Sequence, residues 1–309
     1  MLFTVLGASG HTGRRIAQSL LRAGERVRAV GRSEARLEAL KHAGAELCIG
    51  DVDDRAFLPT AFRGADAIYA LLPADPQAAD FRAAQDRMGE AIAAAVRDSG
   101  VRRVVALSSL GAELSSGNGP IAGLHAQEQR LGSIAGLQLL LLRPAWFFEN
   151  VESQLEQSGA EGVLAGSIEP EVSMPMVGTA DIAAAAVAGL RSQAVGVQEL
   201  LGPHDLDHRR VARELGAAFG RTGARYVRVP DDAMARQLVD TGVSTSFADL
   251  FVEMTRAINA QRLQPLGGRT DANTTPTSFA AYAADAADAA DAADAAQLQR
   301  AASAVDAEG

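Results

Sequence analysis

Three glycines at three-residue spacing, Gly7-x-x-Gly10-x-x-Gly13, stand between the apolar run Met1 to Leu6 and a stretch from Thr12 to Leu21 with apolar residues at Ile16, Leu20 and Leu21. The first run reads as a buried strand. The second reads as an amphipathic helix with Arg14 and Arg15 on its polar side. Strand, glycine turn and helix start in that order make a phosphate cradle: Gly7 permits the tight turn, Gly10 lets backbone approach a pyrophosphate, and Gly13 lets the helix pack close to the strand. The helix N-terminus adds unpaired amides and the positive end of its dipole. Gly7, Ser9, Gly10, His11, Thr12 and Gly13 are therefore the candidate contacts to a dinucleotide. Without a ligand the same residues form only a strand-to-helix turn.

The second apolar run, Arg26 to Val30, ends in Gly31-Arg32-Ser33. An acidic residue at that place would hold the ribose hydroxyls of NAD, whereas a guanidinium pairs with the adenosine 2′-phosphate, so Arg32 favours NADP. The alternative is a solvated loop charge. A third strand, Glu46 to Val52, ends in Asp51-Val52, which resembles an adenine-contacting pair; the alternative is that Asp51 and Asp53 only start the next helix as caps.

Strand and helix patterns then alternate: strand Ala67 to Leu72, helix Ala78 to Asp98, strand Arg103 to Ser108, helix Leu124 to Ile134, strand Leu137 to Leu142. This order predicts an α/β fold, a doubly wound parallel sheet of Rossmann type. Such sheets bind ligands beyond the carboxyl ends of their strands. The glycine loop, Arg32, Asp51, Leu72-Pro73, Ser108-Ser109 and Arg143-Pro144 all fall at such ends, so they converge on one crevice.

A net charge of −9 argues against nucleic acid or an anionic membrane surface as a direct partner. Aromatic residues make up 5% of the chain, so the core must be aliphatic. The single cysteine, Cys48, has no internal disulfide partner and reads as buried and inert, which fits a cytoplasmic location. No run approaches the length of a membrane span, and the nucleotide motif starts too early to leave room for a leader.

In motif order, residues 1 to 280 resemble the NmrA-like family of atypical short-chain dehydrogenase/reductases, which includes NAD(P)H-dependent quinone oxidoreductases and NADP-sensing regulators. The resemblance rests on the glycine motif, Gly31-Arg32, Leu107-Ser108-Ser109, His125-x-x-Glu128, Leu142-Arg143-Pro144-x-Trp146-Phe147-x-Glu149-Asn150 and Thr179-x-Asp181-Ile182. It implies NADP(H) as cofactor, Leu72, Pro73, Ser108 and Arg143 beside it, and the Arg143–Asn150 segment closing the nicotinamide side. The superfamily's usual Tyr-x-x-x-Lys acid is missing. The one lysine is Lys41, and none of Tyr69, Tyr226 and Tyr282 has a lysine four residues on. Registered on Glu128, His125 stands at the lysine position and Ile121 at the tyrosine position.

Two functions remain open. In one, NADPH reduces a small electron-poor acceptor such as a quinone, with Trp146 and Phe147 as an apolar platform, Ser108 or Ser109 on the acceptor oxygen and His125 as proton source. In the other, the protein binds NADP without turnover and signals through a protein partner. His125 equally reads as a surface or capping residue, and Trp146 and Phe147 as core. His204-x-x-x-His208 has a metal-pair spacing, but Asp207 reads as the cap of a helix from His208 to Phe219, so the two rings share no face and no metal site is expected.

The chain divides into a nucleotide-binding core, 1–150, a smaller substrate-facing part, 151–280, and a tail, 281–309. Within the second part, Gly159 to Ser167 reads as a loop over the cleft, Thr179 as the cap of a helix ending at Leu190, Val197–Leu201 and Tyr226–Pro230 as strands, and Asp249–Leu263 as a helix. In the tail, aspartates recur every third residue in alanine from Asp285 to Asp294. A step of three drifts around a helix and leaves no continuous stripe to bury, so a solvated helix or disorder is expected.

Overall fold

The computed structural model describes residues 1–54, 56–151 and 162–306, with side chains to residue 292. Its centre is a parallel sheet of seven strands. The first half of the chain builds β1 (Leu2–Val5), α1 (His11–Arg22), β2 (Arg26–Gly31), α2 (Glu34–His42), β3 (Glu46–Ile49), α3 (Phe57–Phe62), β4 (Ala67–Leu71), α4 (Phe81–Ser99), β5 (Arg103–Leu107), α5 (Ile121–Gly132) and β6 (Gln138–Pro144). The second half adds β7 (Trp146–Phe147), a 3-10 turn (Phe148–Asn150), β8 (Val163–Gly166), β9 (Met174–Val177), α6 (Thr179–Leu190), β10 (Gly196–Leu200), β11 (Asp205–Leu206), α7 (His208–Ala218), β12 (Arg225–Arg228), α8 (Asp231–Asp240), α9 (Thr245–Asn259) and α10 (Phe279–Asp306).

The strand order is β10-β6-β5-β4-β1-β2-β3, with Val5 opposite Tyr69 and Leu107 opposite Leu142. Strand order reverses between β1 and β4, which opens a crevice at their carboxyl ends. The strands carry aliphatic residues on both faces because helices cover both. On one face Ile16 and Leu20 of α1 and Ile182, Ala186 and Leu190 of α6 pack together; on the other Leu58, Phe62, Ile92 and Val96 do. A third core joins Phe148, Leu164, Met176, Val211, Leu215, Phe279 and Tyr282 in the second half. Strand β10 crosses from that half to the sheet edge beside β6.

Several boundaries differ from the sequence reading. Val163–Gly166, expected in a loop, is a strand paired in parallel with β12; residues 159–161 of that loop lie outside the described residues. Helix α6 starts at Thr179 itself, after Gly178. Its first amide is satisfied from a distance by Glu149, which accepts from Thr179 N at 3.0 Å and from Thr179 Oγ1 at 2.5 Å. Cys48 is half-buried rather than buried, and partial desolvation pushes its thiol pKa up. The tail is helical, and its first turns do have an apolar stripe: Phe279, Tyr282, Ala283 and Ala286 follow the i, i+3, i+4, i+7 pattern, with Phe279 and Tyr282 on Phe148 at 5.1 and 5.3 Å. The stripe runs past Asp285 into the start of the aspartate repeat, so the drift argument does not hold there.

Candidate functional site

The glycine loop sits at the carboxyl end of β1, at the crevice. Gly7 adopts φ +61°, and its carbonyl accepts the Gly10 amide at 2.9 Å, closing the turn. A Cβ on Gly13 would lie 2.3 Å from that carbonyl oxygen, so only glycine lets α1 start this close to β1. Gly10 caps α1 with no side-chain hydrogen bond, and no acidic residue stands in the first turn. The amides of His11, Thr12 and Gly13 thus keep their donor capacity for an anion. Beneath them, Tyr69 Oη donates to Thr12 Oγ1 at 2.9 Å; burial drives the Tyr69 phenol pKa strongly upward, so it stays a neutral donor. The loop therefore fits a dinucleotide pyrophosphate.

Arg32 is exposed at the end of β2 and makes no ion pair among the described residues. Ser33 beside it caps α2 through the Arg36 amide. Asp51 is exposed and accepts the Asp53 amide at 3.1 Å, so it closes a turn; it does not cap α3, whose N-cap is Ala56. Val52 is half-buried next to it.

Past the carboxyl ends of β4, the strand paired with β1, and of β5 a cavity of about 1000 Å³ opens. Its wall takes Leu72 and Ala74 from the end of β4, Ser109 from the end of β5, Trp146 and Phe147 from β7, and Phe81, Phe247, Phe251, Met234 and Met254 from α4, α9 and α8. The sequence holds fourteen aromatic residues, ten Phe, three Tyr and one Trp, and five of them line this space. Among the described residues the lining includes no Tyr, Lys, His or Cys, and its one ionisable side chain is Asp240.

Three residues assigned to the site by sequence have other partners. Ser108 is buried and donates to Glu128 Oε1 at 2.5 Å; its neighbour Ser109 reaches the wall instead. Arg143 is buried and held by Glu128 through Nε at 2.9 Å and Nη2 at 2.6 Å, with Glu113 at 3.2 Å from Nη1. Its charge is neutralised by carboxylates of the chain. His125 lies within α5 with Nδ1 2.8 Å from the Ala112 carbonyl; an oxygen there only accepts, so Nδ1 carries the hydrogen. The preceding residue, Leu124, lines the cavity, while His125 does not.

Behind Trp146 stands His208, ring centroids 6.5 Å apart, with Tyr226 at 4.8 Å on its other side. Burial pushes the His208 pKa down to about 4 against a smaller upward pull from Asp207. His204 is exposed and shares no face with it, and among the described residues no group of three or more His, Cys, Asp or Glu side chains forms a metal site. No helix among them is long and apolar enough to cross a membrane.

Sequence reasoning missed Met234, Leu238, Asp240, Phe247 and the role of Phe251 and Met254. The helical spacing of Phe251 and Met254 was visible, but it signals an apolar face without saying whether a core or a cavity meets it.

Comparison with known proteins agrees with this geometry. The NAD(P)H-binding family matches residues 7–193. The (4-alkanoyl-5-oxo-2,5-dihydrofuran-3-yl)methyl phosphate reductase of Streptomyces griseus is 30% identical over 227 residues, 71% of this chain and 74% of that protein. The NAD(P)H azoreductase of Xenophilus azovorans is 25% identical over 82% of this chain and 86% of its own. Among solved structures, an NADPH-dependent quinone oxidoreductase of Escherichia coli superposes with a TM-score of 0.72 at 22% identity, covering 92% of this chain and 99% of that one, a likeness of fold. These relatives carry reductase names, and the reading of the chain as a sensor without turnover finds no support among them. With the glycine cradle, the parallel sheet and a family match across more than half its length, the chain belongs to the NAD(P)H-binding family.

Proposed function

We propose that the protein is an NADPH-dependent reductase of flat, electron-poor acceptors such as quinones. The observation that carries the reading is the aromatic-lined cavity past the ends of β4 and β5, with no phenol, ammonium, imidazole or thiol among the described residues of its wall. Gly7, Gly10, Gly13 and the first amides of α1 would hold the pyrophosphate, Arg32 the adenosine 2′-phosphate, and Asp51 and Val52 would flank the adenine. When bound, the reduced nicotinamide supplies a hydride, so a quinone needs one further proton to become a hydroquinone.

The chain's own residues bind, orient and keep water away. Trp146 and Phe147 offer faces to a planar ring, and Phe81, Phe247 and Phe251 exclude water from the opposite side. Ser109 is the wall hydroxyl nearest the end of β5; it donates to the Leu110 carbonyl at 3.0 Å and would have to exchange that bond to donate to an acceptor oxygen. With His125 committed to Ala112, the proton comes from solvent at the mouth, where Gln237 and Asp240 are exposed. Acceptors that need weak acid assistance suit such a wall better than unactivated ketones.

The test is the loss of NADPH absorbance with purified protein and a panel of quinones, beside titrations of NADPH and NADP. Saturable oxidation above the protein-free rate supports the reductase. Tight dinucleotide binding with no turnover on any acceptor overturns it.

A further inference from the structure

Resting on the reductase reading, we infer that the outer half of the cavity is a subsite for a flat aromatic cation, with Asp240 as its counter-charge, and that cationic acceptors are preferred over neutral ones. Three observations lead there. Among the described residues of the wall, Asp240 is the single ionisable side chain, the others being Phe, Trp, Met, aliphatic, amide and hydroxyl residues. It is the last residue of α8 and forms no ion pair among the described residues, while the neighbouring basic residue Arg236 is paired with Asp232 at 2.8 Å. A carboxylate at the negative end of a helix dipole destabilises the helix, so its position does not serve the fold.

The same wall holds the aromatic faces that attract cations. Phe247 and Phe251 pair at 6.3 Å on α9, and Phe81 meets Phe247 edge-on at 4.8 Å, so ring faces and one carboxylate border a common space. A volume near 1000 Å³ stands at the upper end of small-molecule sites, far more than a single-ring quinone needs, and it admits a fused or multi-ring acceptor.

The chemistry of the wall favours the same class. A cationic acceptor, with an iminium-type or delocalised carbenium carbon, takes a hydride from NADPH, gains one C–H bond and becomes neutral, while the oxidised dinucleotide carries the positive charge away. No proton is transferred, so a wall without a phenol, ammonium or imidazole lacks nothing for this reaction. Because Asp240 stabilises the charged ground state, its effect belongs to binding and to KM rather than to the chemical step.

Trp146 is the chain's only tryptophan and lines the cavity, so its fluorescence reports occupancy without turnover. The probes are N-methylacridinium and the near-isosteric acridine, titrated at a pH where acridine is neutral. The cation should bind about three- to tenfold more tightly, the range expected of one exposed carboxylate and cation–π contacts. Asp240→Asn should remove most of that preference, and Asp249→Asn, which removes an exposed carboxylate of α9 that is not among the described wall residues, should leave it intact. Equal affinity for the two probes, or a preference that survives Asp240→Asn, overturns the subsite. NADPH oxidation by N-methylacridinium is followed in parallel: cation-selective quenching with no oxidation of NADPH by any acceptor overturns the reductase and leaves the subsite standing. Quinone reduction without cation selectivity does the reverse.

Discussion

Arg143 grips both oxygens of Glu128, and the Ser108 hydroxyl donates to one of the same oxygens, so a buried ion pair ties the ends of β5 and β6 to α5. Both side chains are less than a tenth exposed. Removing Glu128 leaves the buried guanidinium only the longer contact to Glu113 at 3.2 Å. Glu128→Ala should therefore cost about 3–5 kcal/mol of stability. The double variant Arg143→Met, Glu128→Leu should recover most of it, which thermal or urea unfolding of both variants measures.

Gly13 has no room for a methyl group, since its Cβ would meet the Gly7 carbonyl carbon and oxygen at 2.7 and 2.3 Å. Backbone cannot yield there without moving the loop. Gly13→Ala should raise the dissociation constant for NADPH by roughly tenfold or more, the equivalent of losing one or two charge-assisted hydrogen bonds. Titration calorimetry on variant that is still folded by circular dichroism separates this from global unfolding.

Arg32 is exposed and makes no ion pair among the described residues at the end of β2, where the 2′-substituent of an adenine ribose would lie. Arg32→Asp should move the preference from NADP towards NAD, with an NADPH affinity loss of about ten- to a hundredfold. Competitive titration of the two dinucleotides checks it. An unchanged preference removes Arg32 from the site.

His208 gives a pH dependence. Its pKa is pushed down to about 4 in the folded chain, and an unfolded histidine titrates near 6.5. The unfolded state thus binds the proton more readily, so stability is fully present above pH 6.5 and declines as pH falls from there to about 4. Over that window the loss should reach about 3 kcal/mol. His208→Phe should flatten this part of the curve of Tm against pH, and a wild-type slope retained in the variant would assign the effect to other groups.

The parallel sheet and the cradle were legible because both write themselves in short-range pattern: an apolar run, glycines at fixed spacing, then a helical period from Ile16 to Leu20. The Asp207 cap was legible for the same reason, and its carboxylate does accept the Arg210 amide at 2.7 Å. What escaped were partnerships across long separations. Nothing near Ser108 announces that its hydroxyl turns to Glu128, twenty residues on, and nothing near Arg143 shows two carboxylates waiting for it. Asp240 has no sequence signal at all. A lone acid at a helix end becomes notable only when the described residues of the wall around it carry no other charge.

Helix α8 buries none of its own residues, yet Met234, Leu238 and Asp240 help to enclose the cavity. Surface positions of this kind change with little penalty to folding. The dinucleotide side has no such freedom, because Gly7 holds a positive φ and a Cβ on Gly10 or Gly13 would meet the Gly7 carbonyl. A lineage carrying this fold therefore has an asymmetric route to novelty: the electron donor stays fixed while one tolerant helix lets the range of oxidants drift, a few substitutions at a time.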